Sequence, residues 1–286
     1  MNVKRLLGEG AESLREAGVE SPGWDAERLL RHVVGWSRAR LLASPESDVA
    51  PGAASRYREL VAERARRRPL QHIVGVQEFW RREFVVGPDV LIPRPETELL
   101  VEASLERLAR LERPLVVDVG TGSGCLALSL AAEREDAEVH ATELSAPALV
   151  VARENARRLG LEARVRFHHG DLLEPLGARA GELDLVVSNP PYVGADEVAG
   201  LEPEVRDHEP RLALVPPGDR FAVYRRLAPE FGRFLRGGGC CVLEVGAGMA
   251  AEVVGILETA GLRVDGARPD LAGVARAVVA SRPAES

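Results

Sequence analysis

The first seventy residues set their apolar positions three and four apart; later segments do not. Residues 3–18, 23–34 and 52–67 each put those positions on one face of a helical period. Ser21-Pro22-Gly23 separates the first two segments and Pro51-Gly52 opens the third, so a small helical bundle is expected. The character then changes. Gln71-His72-Ile73-Val74-Gly75, Glu78-Phe79-Trp80 and Glu83-Phe84-Val85-Val86 are short, aromatic and β-branched, which predicts a β-hairpin. Leu91-Ile92-Pro93-Arg94-Pro95-Glu96-Thr97-Glu98 follows. Its prolines enforce an extended path, and Thr97 is placed to start a helix running to residue 111.

From residue 115 strands and helices alternate. Strands are expected at 115–119, 138–142, 165–169, 183–188 and 240–245, with two more at 262–270 and 275–281. Helices are expected at 126–132, 147–159 and 221–235. Alternating βα units imply an α/β fold, a mostly parallel sheet covered by helices on both faces.

Composition narrows the class. The chain has 286 residues, 45% of them apolar and 28% charged, the balance of a soluble globular protein with room for two domains. The longest apolar run, residues 148–152, is far short of the roughly 20 residues a membrane span needs. The first residues lack the apolar core of a signal peptide, so a cytoplasmic protein without membrane contact is expected. Three cysteines, two of them adjacent and none in a C-x-x-C pair, predict neither a disulfide framework nor a metal site. Net charge is −7, made of +3 over residues 1–70 and −10 over the remainder. A segment this acidic is a poor electrostatic match for a nucleic-acid backbone, so no stable nucleic-acid partner is expected, and the chain is read as a monomer.

Ligands of open parallel sheets bind beyond the carboxyl ends of the strands, where every chemical motif of this sequence falls. Gly120-Thr121-Gly122-Ser123-Gly124 joins the first strand to its helix. Glycines there allow positive φ and close approach of a ligand, and the helix start offers free N–H groups. Glu143 ends the second strand, placed to accept hydrogen bonds from two ribose hydroxyls. Asp171 and Leu172 follow the third, where Leu172 can rest against an adenine and Asp171 meet its polar edge. These features suit a nicotinamide nucleotide or S-adenosylmethionine equally.

Strand four separates the two. Asn189-Pro190-Pro191-Tyr192 follows it, in a chain with only three asparagines and three tyrosines. The nitrogen of a planar amide or aryl amine is a poor nucleophile and must be held in line with an electrophilic methyl group. The Asn189 side-chain oxygen and the Pro190 carbonyl can each accept one of its hydrogens. The prolines stiffen the turn, and Tyr192 offers a face for stacking.

Taken together, the hairpin motifs, Ile92-Pro93-Arg94-Pro95-Glu96-Thr97-Glu98, Asp118-Val119-Gly120-Thr121-Gly122-Ser123-Gly124, Ser188-Asn189-Pro190-Pro191-Tyr192 and Asp270-Leu271-Ala272-Gly273 resemble the PrmC/HemK family, the N5-glutamine methyltransferases of peptide chain release factors. The resemblance implies a class I methyltransferase fold, Rossmann-like, with a seven-stranded sheet whose last strand is antiparallel. It implies S-adenosylmethionine as donor and the glutamine of the release factor's Gly-Gly-Gln motif as acceptor. By position, Gly120, Thr121, Gly122, Ser123, Gly124, Glu143, Asp171, Leu172 and Asn189 would bind the cofactor. Asn189, Pro190, Pro191 and Tyr192 would hold the substrate amide and carry catalysis. Residues 1–70 would form a substrate-recognition domain, 71–97 a hairpin linker and 98–286 the methyltransferase domain. The chain departs from the family in Glu143, usually Asp, in Met249, where glutamine is common, and in Gly218-Asp219-Arg220-Phe221. The alternative, N-methylation of a nucleic-acid base, shares the Asn-Pro-Pro-Tyr motif but lacks a basic target-binding segment here.

Overall fold

The computed structural model describes residues 1–284; the last two residues of the expected catalytic domain lie outside the described residues. The chain divides into two compact units, one of residues 1–76 and 201–208, the other of 77–200 and 209 onward.

The first unit contains α1 (Val3–Glu16), α2 (Pro22–Val34), α3 (Arg38–Ala43), α4 (Pro51–Ala65) and α5 (Leu70–Val74). The three long helices match the expected ones within two residues. Asn2 caps α1 by accepting from the Arg5 N–H at 3.0 Å, Pro22 and Pro51 sit in the first turns of α2 and α4, and Gly35 ends α2 with φ 68°. Leu6 and Leu14 of α1, Leu29 and Leu30 of α2, and Tyr57 and Leu60 of α4 close one core. Each fully buried side chain of this kind contributes about 1.5–3 kcal/mol. Gly10 lets α1 and α4 meet, since a Cβ there would lie 1.9 Å from the Tyr57 hydroxyl.

Residues 71–75 were expected to open the hairpin; the structure makes them helical. Pro69 precedes α5 and Gly75, at φ 80°, ends it, so a single turn is punctuated at both ends before the strands begin. The hairpin itself is β1 (Val76–Phe79) and β2 (Arg82–Val85), joined through Trp80 and Arg81, both at positive φ as a two-residue hairpin turn demands.

The second unit continues with α6 (Glu98–Leu108), β3 (Leu115–Val119), α7 (Cys125–Glu133), β4 (Glu138–Glu143), α8 (Ala146–Leu159), β5 (Val165–His169) and β6 (Leu183–Ser188). After β6 the chain passes through α9 (Pro203–Arg206), which belongs to the first unit, and α10 (Arg211–Leu214). It then forms α11 (Ala222–Phe234), β7 (Leu235–Glu244), α12 (Ala250–Thr259), β8 (Arg263–Pro269) and β9 (Ala275–Ser281). The seven strands lie in the order β5-β4-β3-β6-β7-β9-β8. Neighbours from β5 to β7 are parallel, and β9 runs antiparallel to both β7 and β8. This is the class I methyltransferase fold expected from the sequence.

Alternation along each strand splits the core in two. Val116, Val139, Leu185 and Val242 face α6, α7 and the hairpin residues Phe79 and Phe84. Val117, Val186, Leu243 and Val278 face α11 and α12 through Tyr224, Phe231 and Val253. The strand order reverses between β3 and β6. Their carboxyl ends, with that of β4, open a crevice, and that is where the sequence motifs lie.

Candidate active site

The glycine turn is held from below. Asp118, the fourth residue of β3, is buried; its carboxyl accepts from the Thr121 hydroxyl at 2.6 Å and the Ala127 N–H at 3.1 Å. Burial pushes this carboxyl up to about 7, against those two hydrogen bonds and with help from nearby Glu143. The Gly120 and Thr121 N–H groups donate to the Thr142 carbonyl, at 2.9 and 3.1 Å, tying the turn to the end of β4. Gly120 and Gly122 have φ of 71° and 56°, and a Cβ on either would meet nothing within 4 Å. Backbone conformation demands glycine here, and open space lies above it for a ligand.

Glu143 closes the other side. Its two oxygens accept from the Gly122 N–H at 2.9 Å and the Ser145 N–H at 2.8 Å. That fixes the carboxylate plane and leaves further lone pairs on each oxygen. Asp171 is ion-paired with Arg226, and Leu172 is held at φ 47°.

These elements surround a cavity of about 210 Å³. Gly120 through Ser123, Glu143, Asp171, Leu172 and Asn189 through Pro191 all line it, so the structure brings together the residues of four strand ends. Two sequence-predicted residues are not among its walls. Gly124 caps α7 at φ 84°, where a Cβ would approach Leu128 to 3.0 Å, so its role is packing. Tyr192 packs on Gly246 and aims its hydroxyl at Glu244 Oε1, 3.3 Å away. Cys125 also lines the cavity; burial, aided by Asp118, pushes its thiol up to about 12, so no thiolate nucleophile exists at neutral pH.

Asn189 stands at the centre. Ser188, just before it, donates its hydroxyl to the Val119 carbonyl at 2.7 Å and locks the strand end. Asn189 Nδ2 donates to Thr97 Oγ1 at 3.3 Å, and Thr97 donates to Glu244 Oε2 at 2.5 Å. The sequence places Thr97 to start the following helix. Instead Thr97 sits within a 3₁₀ turn (Pro95–Thr97), makes no side-chain cap, and turns its hydroxyl to Glu244. Arg94, from the same stretch, donates to the buried Glu209 at 2.7 Å and braces the segment that returns after α9.

Thr97 and Glu244 carry roles that sequence reasoning did not assign. One signal was available: Glu244 ends an apolar strand at the same edge of the sheet as Glu143, and an acid in that position is expensive to bury without purpose.

Comparison with known proteins fits this geometry. Residues 5–75 match the PrmC N-terminal domain and residues 95–204 the methyltransferase small domain. The release factor glutamine methyltransferase of Moorella thermoacetica is 44% identical over 100% of both chains. That of Cereibacter sphaeroides is 45% identical over 99% of this chain and 100% of its own. The chain belongs to the release factor glutamine methyltransferase family. A crystal structure of the release factor-specific protein-(glutamine-N5) methyltransferase from Alicyclobacillus acidocaldarius covers 70% of this chain and 99% of that chain at 32% identity, with a TM-score of 0.40.

As a methyltransferase of this family, the enzyme depends on S-adenosylmethionine. The walls suit it: open glycines at one end, a fixed carboxylate for hydroxyls, and the apolar surface of Leu144 and Leu172 beside them. The departure at Met249 is a packing feature. Met249 is buried, with its sulfur 2.7 Å from where a Cβ on Gly246 would stand, and it does not line the cavity. In the unusual loop, Asp219 accepts from the Phe221 N–H at 2.8 Å and pairs with Arg225. Among the described residues no cluster of three potential metal ligands occurs, and no helix is long and apolar enough to cross a membrane.

Proposed function

We propose that the enzyme transfers a methyl group to the side-chain amide nitrogen, N5, of the glutamine in the Gly-Gly-Gln motif of peptide chain release factors. The observation that carries this reading is the Asn189 carboxamide, held at the cavity wall with its nitrogen on Thr97. Its Oδ1 has no protein partner among the described residues and is the natural acceptor for one hydrogen of an incoming –NH₂ group.

S-adenosylmethionine would supply the electrophilic methyl group, its S–CH₃ bond breaking as the C–N bond forms and leaving neutral S-adenosylhomocysteine as product. Gly120 through Ser123 receive its polar end, Glu143 its ribose hydroxyls, and Leu172 with Asp171 its adenine. The Pro190 carbonyl accepts the second amide hydrogen. Two acceptors on one –NH₂ group hold the amide flat and oppose the positive charge that develops on nitrogen as the new C–N bond forms. The alkylated nitrogen then loses a proton readily, so no strong base is needed for attack. Tyr192 acts from the side, its ring buttressing the turn and its hydroxyl on Glu244.

Residues 1–70 serve recognition of the whole protein substrate. The enzyme works as a cytoplasmic monomer without a stable nucleic-acid partner, in keeping with the net charge of −10 beyond residue 70. The test is incubation with a methyl-labelled donor and purified release factor, followed by mass mapping. Label on the Gly-Gly-Gln glutamine is expected. Label on nucleic acid instead, or none on that glutamine, would overturn the reading.

A further inference from the structure

We propose that Glu244 is a positioning residue that acts through Thr97 to set which end of the Asn189 carboxamide faces the cavity. The proposal rests on the glutamine-methylating reading of the site. It adds a device that controls whether Asn189 can accept an amide hydrogen.

The geometry is a chain of three side chains from three parts of the fold. Asn189 follows β6, Thr97 precedes α6, and Glu244 ends β7. Thr97 Oγ1 lies 2.5 Å from Glu244 Oε2 and 3.3 Å from Asn189 Nδ2. Thr97 and Glu244 are each only 2% exposed, so water does not substitute for either partner. A hydroxyl has a single proton. A carboxylate only accepts, so ionised Glu244 takes the Thr97 proton. Thr97 can then only accept from Asn189, which must present Nδ2 to it and Oδ1 to the cavity. That is the orientation observed.

Place a proton on Glu244 and the polarity can run the other way. Glu244 donates to Thr97, Thr97 donates to Asn189, and the carboxamide turns to offer its oxygen inward. The cavity then receives an –NH₂ group, which cannot accept a hydrogen bond from the –NH₂ group of a substrate. The charge on one buried carboxyl is thereby converted into donor or acceptor character about two side chains away.

Several groups face Glu244. Thr97 and Glu96 come from the 3₁₀ turn, Tyr192 from the Asn-Pro-Pro-Tyr turn, Cys125 from α7 and Arg276 from β9, while the Tyr224 hydroxyl donates to the Glu244 main-chain carbonyl at 2.7 Å. Burial pushes the Glu244 carboxyl up to about 7; Thr97 and Tyr192 act to lower it, Glu96 raises it and Arg276 lowers it. The productive orientation therefore exists above that pH and is lost as pH falls below it.

The chain has three asparagines, so three side-chain amide pairs appear in a spectrum of asparagine-labelled enzyme. In the wild-type enzyme without substrate, the Asn189 pair is expected to titrate with a midpoint near 7. In Glu244→Gln it is expected to stay fixed. With release factor as substrate, Glu244→Gln should lower kcat by about 10²-fold and flatten the acid limb of the pH profile, with donor Kd within about twofold. Thr97→Val should behave alike, and Thr97→Ser should recover to within about threefold of wild type. An Asn189 pair unmoved from about pH 5.5 to about pH 8.5 in the wild-type enzyme overturns the proposal, and needs no variant to fold. So does a Glu244→Gln enzyme that keeps its rate and its acid limb. Titration of Asn189 in a wild-type enzyme that methylates no release factor supports the device and refutes the substrate instead.

Discussion

Two glutamates, one in each unit, are treated in opposite ways: Glu204 is half-buried among cations and Glu244 buried among hydroxyls. In the helical unit, Glu204 lies between two guanidinium groups: Arg64 at 2.7 Å and Arg67, which reaches both oxygens at 2.7 Å. Arg64 is itself buried and also binds Asp25 at 2.7 Å. Burial raises the Glu204 carboxyl, but hydrogen bonds from Arg67 and Arg64 reverse this and hold it at about 2. In the catalytic unit, Glu244 has hydroxyl partners in place of cations, and burial leaves it near 7. A carboxylate between cations is a permanent charge that fastens structure. One held by hydroxyls, and buried more deeply, can change state, and it stands one hydroxyl away from the residue proposed to recognise an amide.

If Glu204 is a fastener, breaking its clamp should show in stability more than in chemistry. Arg64→Ala leaves Asp25 and Glu204 without their shared cation. Unfolding in denaturant is expected to find the variant about 3–5 kcal/mol less stable, with donor affinity in the folded fraction unchanged. A loss under about 1 kcal/mol would mean that Arg67 alone suffices, and the clamp would be less of an anchor than its geometry says.

The catalytic side should show the reverse. Asn189→Ala removes an acceptor needed only as charge develops on the substrate nitrogen. Methyl transfer should fall about 10²–10³-fold, near 3–4 kcal/mol, while the melting temperature and donor Kd hold. Near-normal turnover would remove the carboxamide from the mechanism.

pH separates the two carboxyls by sign. Glu244 and Asp118 hold their protons in the fold up to about 7, whereas an unfolded carboxyl releases its proton near 4. The stability they give is complete below about pH 4 and is lost as pH rises through about 7. Glu204 is opposite: its contribution is present above about pH 4 and is lost only as pH falls through about 2. Between pH 5 and pH 8, Glu244→Gln should therefore lose less stability than wild type, by about 2 kcal/mol. Glu204→Gln should be weakened by the same amount at both pH values. Parallel slopes for wild type and Glu244→Gln would erase the contrast.

The same two residues show what a sequence can disclose. The strands β3 to β6 are legible because doubly buried parallel strands are apolar runs, and their ends carry Gly120, Glu143, Asp171 and Asn189 to one edge. The Arg67–Glu204 pair spans 137 residues, and nothing in either neighbourhood names the other. Helices α3, α5, α9 and α10 run six residues or fewer, too short for periodicity to register. The Thr97 hydroxyl had two possible partners, the first turn of α6 and a distant acid; only the fold shows that it chose the acid.

Glu143 stands between these extremes and gives the smallest expected effect. Its partners are neither cations nor hydroxyls but two main-chain N–H groups, from Gly122 and Ser145. Both belong to turns that the sheet already holds through the Thr142 carbonyl and the Ser145 cap on α8. Glu143→Ala should thus leave the fold intact and remove only the acceptors for ribose hydroxyls. Calorimetry should find donor affinity weakened by about 1–2 kcal/mol, with kcat at saturating donor nearly unchanged. An unchanged Kd would show that the carboxylate serves the turn and not the ligand. A collapse of kcat with it would show that the glycine turn depends on Glu143 for its shape, and would place this third carboxylate with Glu204 among the fasteners.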